Sequence, residues 1–316
     1  MANKKGQIYK MKHFFQLITA LRPVHWIKNL ALFAALVFTG TLFVESYFAT
    51  VFWAFIAFNL ASSATYLFND VRDKKRDAMH PIKRSRPIAS GKISTTTAVF
   101  TSLVLVFLSL LIASSLNSLF FFALVSYLVL QFFYSSGLKN IAIFDILIIA
   151  TGFVIRVYSG AVVINAHLSV WFLLCVVSVA LFLASGKRRS ELGLIGDKSR
   201  KSLSKYKPEL LNSYVTMFGN SAWLSWALFT FFESPPADLE LWLFLAEISK
   251  ATTISKLLMS TIPVVIFIIM RYEALIFEDR SEAPEKVILT DKSLVASIAI
   301  YLAMVMGILY GGFATI

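Results

Sequence analysis

The chain has 316 residues, 58% of them hydrophobic and 15% charged, and its mean hydropathy is +0.73. Its 30 Lys and Arg against 18 Asp and Glu leave a formal charge of +12. The apolar content excludes a disordered chain, and the wealth of Phe, Leu, Ile and Val excludes a soluble nucleic-acid binder; a polytopic membrane protein with its positive charge on the cytoplasmic side remains.

The N-terminal segment 1–20 is basic, with Lys4, Lys5, Lys10 and Lys12. Neither a short apolar h-region nor a small-residue cleavage site follows it, so no cleaved signal peptide is expected. About 20 apolar residues cross a bilayer as a helix. Nine stretches qualify, with limits near 24–44, 47–68, 95–115, 118–135, 141–163, 169–186, 212–232, 254–271 and 293–314. Residues 239–248 are apolar but too few to cross, and they read as an interfacial helix. The connection after the second stretch carries Arg72, Lys74, Lys75, Arg76, Lys83, Arg84, Arg86 and Lys92. The connection after the sixth carries Lys187, Arg188, Arg189, Lys198, Arg200, Lys201, Lys205 and Lys207. Connections on the other side are nearly bare, with Lys250 and Lys256 beside four acids as the exception. This alternation predicts a cytoplasmic (inner) membrane protein, N-terminus cytoplasmic and C-terminus outside. The whole chain, 1–316, reads as one membrane-embedded domain. Cys175 lies in an apolar run and reads as a small buried hydrophobe. His13, His25, His80 and His167 lack metal-ligand spacing.

Directly after the second stretch runs Asn69-Asp70-Val71-Arg72-Asp73-Lys74-Lys75-Arg76-Asp77. Its aspartates fall at i, i+3 and i+7, on one face of a helix with Asn69 adjacent. Stacked carboxylates repel each other and call for a positive partner. Mg²⁺ suits them, because it takes oxygen ligands, keeps waters and is completed by substrate phosphates. Lys and Arg in the same loop suit phosphate. The competing reading is a solvated helix with Asp and Lys/Arg paired at i, i+4, as at Asp70 and Lys74.

Asn69-Asp70-x-x-Asp73-x-x-x-Asp77 at the end of an apolar helix resembles the first aspartate-rich motif of the UbiA superfamily of intramembrane prenyltransferases. That superfamily's fold is all-α, nine transmembrane helices around a central cavity. A closer likeness, to the decaprenyl-phosphate phosphoribosyltransferase branch, rests on several runs. They are Leu21-Arg22-Pro23-Val24-His25-Trp26-Ile27-Lys28-Asn29, His80-Pro81-Ile82-Lys83-Arg84-Ser85-Arg86-Pro87-Ile88-Ala89-Ser90-Gly91, Tyr134-Ser135-x-x-Leu138-Lys139, Asp145, and Gly186-Lys187-Arg188-Arg189-Ser190-Glu191-Leu192. The resemblance implies transfer of 5-phosphoribose from phosphoribosyl pyrophosphate to a polyprenyl phosphate, with release of pyrophosphate. One departure stands out. Prenyl-diphosphate users of the superfamily carry a second aspartate-rich motif near the fifth span; here Asp145 stands alone and Ile149 follows it. That suits a donor other than a prenyl diphosphate.

On this resemblance Asp70, Asp73 and Asp77 hold Mg²⁺ on the donor's pyrophosphate, with Asp73 and Asp77 counted as catalytic, and Asn69 orients a ligand. Lys83, Arg84 and Arg86 read as a phosphate clamp rather than a mere cytoplasmic anchor. Lys187 and Arg188 read likewise, reached through Gly186, where a backbone approaches a ligand closely. Ionisable groups inside spans default to function, which singles out Asp145 and Arg156. Asp145 is expected to hold ribose hydroxyls or to position Lys139, itself expected to bind substrate. Arg156 is expected either to bind substrate or to pair with a neighbouring carboxylate or helix end. Lys28 and Asn29 are expected at the lipid phosphate, and Tyr134 offers a hydroxyl at the cavity mouth or joins the aromatic belt. Partners are the donor, the polyprenyl phosphate and membrane lipids, with no nucleic acid; the sequence leaves a homo-oligomer open. The rival readings are a UbiA-type prenyltransferase joining a prenyl diphosphate to another acceptor, and a non-enzymatic lipid transporter.

Overall fold

The computed structural model describes residues 11, 14–80, 83–195, 202–233, 254–278 and 290–311. Among these the regular structure is entirely helical. Helices close every backbone hydrogen bond within one segment, as a lipid environment demands. A short helix α1 (residues 14–21) is followed by a 3-10 segment Pro23–Phe33 and by α2 (Ala34–Phe38). Then come α3 (Glu45–Met79), α4 (Thr95–Leu116), α5 (Ser118–Ser136), α6 (Phe144–Val163), α7 (Val170–Ile195) and α8 (Pro208–Phe232). A second 3-10 segment, Ile254–Thr261, leads into α9 (Ile262–Phe277), and α10 (Lys292–Tyr310) follows.

Each of the nine expected stretches coincides with a helical element, but they are not equivalent. Among the described residues seven helices are long and apolar enough to cross a membrane. The first stretch is instead a shorter apolar helix, Pro23–Phe38. It ends at Phe38 because the chain turns there, with Gly40 at φ +73°; inside it Asn29 is buried and donates to Asn59 Oδ1 (2.7 Å) and Ser62 Oγ (3.2 Å). Helix α8 falls outside the seven because Asn212, Ser213, Thr216, Asn220 and Ser221 interrupt its apolar sequence. Nine is therefore an approximate count. The interfacial helix expected at 239–248 lies outside the described residues, as do Lys4, Lys5, Lys10, Lys12, Lys198, Arg200, Lys201 and Lys250.

The chain divides into two compact units. One comprises Met1–Leu32, Ala49–Lys139 and Ile155–Asn165; the other comprises Phe33–Phe48, Asn140–Val154 and Ala166–Ile316. In the first, Ala20, Leu67, Ile88, Ile93 and Ala98 form a buried cluster, with Leu17, Leu21, Val71 and Leu105 against it. This cluster clamps α1, α3, the 83–94 loop and the start of α4 together. Fully burying an Ile contributes about 1.5–3 kcal/mol, so Ile88 and Ile93 anchor that basic loop. Gly91, at φ +76°, lets the loop turn, and Ser94 caps α4 by accepting the Thr97 N–H at 3.0 Å. In the second half of α6, a Cβ on Gly160 would stand 1.9 Å from the Leu32 carbonyl oxygen. Only glycine permits that approach.

In the second unit Ile146, Ala150, Ala180, Ala184, Leu203, Tyr206 and Leu211 join the start of α6 to α7, the 203–205 turn and α8. Phe182, Val215, Tyr272, Leu275, Ile276 and Leu294 join α7 and α8 to α9 and α10. Gly186 serves this packing: a Cβ there would meet the Ile276 side chain at 2.4 Å. Its closeness is to a neighbouring helix, where the sequence suggests a ligand.

Candidate functional site

Helix α3 has 35 residues, and at 1.5 Å per residue it is about 52 Å long. A hydrocarbon core is about 30 Å thick, so the last turns of α3 extend past its apolar part while remaining helical. The ladder sits there. Asp70 and Asp77 are only 3% exposed, and buried carboxylates require partners.

The partners come from separate segments of the first unit. Arg22, from the turn between α1 and the 3-10 segment, donates through Nη2 to both Asp70 oxygens at 2.5 and 2.7 Å. Arg86, from the 83–94 loop, donates to Asp77 Oδ2 at 2.7 Å and to Asp70 Oδ1 at 3.2 Å. Lys139, from the 3-10 turn after α5, donates to both Asp73 oxygens at 2.7 Å and to Asn69 Oδ1 at 2.9 Å. Arg76 lies 2.9 Å from Asp73 on the same helix, and Asn69 Nδ2 donates to Asp73 at 3.2 Å. Charge-assisted bonds of this kind are the stronger ones.

Among the described residues no three His, Cys, Asp or Glu side chains converge as a metal-binding group. The donor set nevertheless suits Mg²⁺ by its chemistry. It offers carboxylate oxygens, and Mg²⁺ needs one or two of these beside waters and phosphate oxygens.

A second polar cluster belongs to the second unit. Asp145 is fully buried at the start of α6. It accepts from Tyr206 Oη at 2.8 Å and Ser202 Oγ at 3.1 Å, and Arg188 Nε lies 2.9 Å away. Arg188, itself fully buried, also pairs with Glu191. The Tyr206 hydroxyl accepts the Ile143 N–H. Burial, helped by the bond to Asp145, pushes the Tyr206 phenol well above its ordinary range. Arg156 Nε donates to Asn29 Oδ1 at 2.7 Å and Nη2 to Tyr127 Oη at 2.8 Å.

The fold thus brings Asn69, Asp70, Asp73, Asp77, Arg86 and Lys139 together, sets Asn29 beside Arg156, and sets Asp145 beside Arg188. Arg84 is exposed, while Lys28, Lys83, Tyr134 and Lys187 are half-buried. Sequence reasoning assigned no role to Arg22, Tyr127, Ser202 or Tyr206. Arg22 carried two signals, its place in the Leu21–Asn29 run and its position as a cation directly before Pro23 at the entrance to an apolar stretch.

The sequence signature of the UbiA prenyltransferase family matches residues 29–190, just over half of the chain. The chain belongs to the UbiA prenyltransferase family. As a family member it is a transferase and an integral multi-pass membrane protein. The decaprenyl-phosphate phosphoribosyltransferase of Mycolicibacterium smegmatis is 39% identical over 230 residues, covering 71% of this UbiA-family chain and 72% of its relative. The protein of the same name from Corynebacterium glutamicum is 35% identical over 286 residues, covering 88% and 82%. Among solved structures, a UbiA homolog from Archaeoglobus fulgidus bound to DMAPP and Mg²⁺ matches with a TM-score of 0.67 at 17% identity, covering 93% of this chain and 99% of that one. That likeness establishes the UbiA-like all-α fold.

Proposed function

We propose that this chain transfers the 5-phosphoribosyl group of phosphoribosyl pyrophosphate to a polyprenyl phosphate, releasing pyrophosphate, at the cytoplasmic face of the inner membrane. The observation that carries this reading is the Asp70, Asp73, Asp77 ladder, each member matched by a cation delivered from elsewhere in the first unit. Such a set offers oxygens to a hard cation and cations to a pyrophosphate in one place. The relatives' names support the transferred phosphoribosyl group and a polyprenyl-phosphate acceptor; phosphoribosyl pyrophosphate as the donor is our reading. We read 1–316 as one transferase domain.

In this reading one or two carboxylates of the Asp70, Asp73, Asp77 ladder would hold Mg²⁺ beside waters and donor phosphates, and Asn69 orients Asp73. Mg²⁺, when bound, supplies charge neutralisation for the departing pyrophosphate. Lys139 and Arg86, with Lys83 and Arg84 on the same loop, hold the donor's phosphates. Lys28 meets the lipid phosphate, and the buried Asn29, held by Asn59, Ser62 and Arg156, fixes the segment that carries Lys28. Tyr134 lines the entrance. Asp145 and Arg188, locked together, set the shape of their own unit's polar end, where Lys187 presents an ammonium. The bond from C1 of the ribose to pyrophosphate breaks, and its electron pair leaves with pyrophosphate. A phosphate oxygen of the lipid forms the new bond to C1. That oxygen is already anionic, so no general base is needed, and the protein's contribution is positioning and electrostatic.

The test is purified, folded protein supplied with phosphoribosyl pyrophosphate, a polyprenyl phosphate and Mg²⁺, with lipid products read by mass spectrometry. A phosphoribosyl lipid that disappears with chelator is expected. Turnover of a prenyl diphosphate in its place, or no product from folded protein, would overturn the proposal.

A further inference from the structure

Arg22 has no part in the assignments above, yet three features set it apart. Its backbone occupies the left-handed region, φ +55°, directly before Pro23. Left-handed backbone is uncommon for a residue with a side chain, and a following proline ordinarily imposes an extended conformation. The turn is held from several sides: the Arg22 N–H donates to the Thr19 carbonyl, and its own carbonyl accepts from His25 N–H at 2.9 Å. Trp26 Nε1 donates to Ser63 Oγ, which donates to the Leu21 carbonyl, each at 3.0 Å.

The side chain is equally constrained. Its guanidinium lies 5.0 Å from the Tyr66 ring centroid, a cation–π contact, and points Nη2 at both Asp70 oxygens. Asp70 already receives Arg86, and Arg86 has Asp77 as its closer partner. Four cations, Arg22, Arg76, Arg86 and Lys139, therefore engage three carboxylates. Asp73 takes two of these cations, Lys139 and Arg76, while Arg22 and Arg86 serve Asp70 and Asp77 between them; Arg22 leans on Asp70 alone.

We propose that Arg22 is a phosphate ligand held in reserve on Asp70. When a divalent cation and a pyrophosphate group arrive together, Asp70 turns to the cation and the Arg22 guanidinium passes to pyrophosphate oxygens. The proposal rests on reading the ladder as the Mg²⁺ and pyrophosphate site. Its physical content is competition. A cation alone must displace Arg22 from Asp70, and an anion alone must draw Arg22 away and leave Asp70 without it. Together they satisfy both groups, so each strengthens the other's binding by the same factor.

The experiment uses the full chain in nanodiscs, with Mn²⁺ followed by its spin signal and inorganic pyrophosphate as the anion. In the unaltered protein pyrophosphate should tighten Mn²⁺ binding about fivefold or more, within the usual range of such couplings. In Arg22→Gln, Mn²⁺ alone should bind more tightly, because Asp70 has lost a competitor. Pyrophosphate in the presence of Mn²⁺ should bind more weakly, and the coupling should fall towards one. Arg22→Lys keeps the charge without the fork, and should show the same opposed changes at smaller size. A residue that only supports the fold cannot move two affinities in opposite directions. Equal weakening of both ligands, or no change in either, would overturn the role of Arg22 while leaving the ladder intact. Failure of the unaltered protein to bind either probe would overturn the ladder reading itself, and this proposal with it.

Discussion

Asp73 is where charge and function meet most closely, because it receives Lys139, Arg76 and Asn69 at once. Asp73→Asn keeps the shape and removes the charge that neutralises Lys139 and would ligate Mg²⁺. We expect a loss of about 100-fold or more in turnover, the scale seen when one preorganised electrostatic group is removed. The phosphoribosyl-lipid assay checks it, with the melting temperature as the control for folding. Tyr206 is the opposite case, a group whose role is in stability. Its hydroxyl both donates to Asp145 and accepts from the Ile143 N–H. Tyr206→Phe leaves buried polar groups short of a partner, at a cost of about 1–3 kcal/mol, read as a lowered melting temperature. The phenol's ordinary value is 10.0 and the fold raises it. The protonated form is thus the one the fold favours. Its contribution is whole below pH 10 and is lost as pH climbs from there through the raised folded value. The stability gap between the unaltered protein and Tyr206→Phe should narrow from pH 8 to pH 11.

Among the helices, two features separate what periodicity reveals from what it does not. The ladder was legible because i, i+3, i+7 spacing is a local property of one helix, and α3 continues without a break through Asp77. The first apolar stretch was misjudged in length, because hydropathy does not register the turn at Gly40, φ +73°, that ends the helical part at Phe38; nor does it reveal the role of Asn29. In the fold Asn29 is a buried hub for Asn59, Ser62 and Arg156. Close helix contact was likewise invisible. Gly160→Ala would drive a methyl into the Leu32 carbonyl, since a separation of 1.9 Å leaves no room. Overpacking of this kind costs about 1–3 kcal/mol or more, so a clear fall in melting temperature is expected. Gly307 in α10 has nothing within 4 Å of a would-be Cβ. Gly307→Ala should therefore be neutral or slightly stabilising, as alanine is the better helix former.

For the molecule as a whole, the charge alternation predicts which connections face the cytoplasm. Cys175 is the only cysteine, and it is buried, so single added cysteines report cleanly. An impermeant maleimide should label Ser115→Cys in intact cells and Ser85→Cys only after the membrane is opened. The reverse pattern would invert the topology and move the ladder away from a cytoplasmic donor. The sequence by itself determined the membrane class, the helical architecture, the approximate number and placement of the helices, and the existence of the aspartate ladder. All of these follow from composition and short-range periodicity. Only the tertiary structure decided which cation meets which acid. Arg22 and Asp70 are 48 residues apart, and Lys139 and Asp73 are 66 apart. Their meeting depends on how Ala20, Leu67, Ile88, Ile93 and Ala98 pack, and on a left-handed turn at Arg22. Long-range packing of this kind leaves no periodic trace along the chain, which is why the sequence showed abundant positive charge near the ladder without showing that Arg22 stands on Asp70.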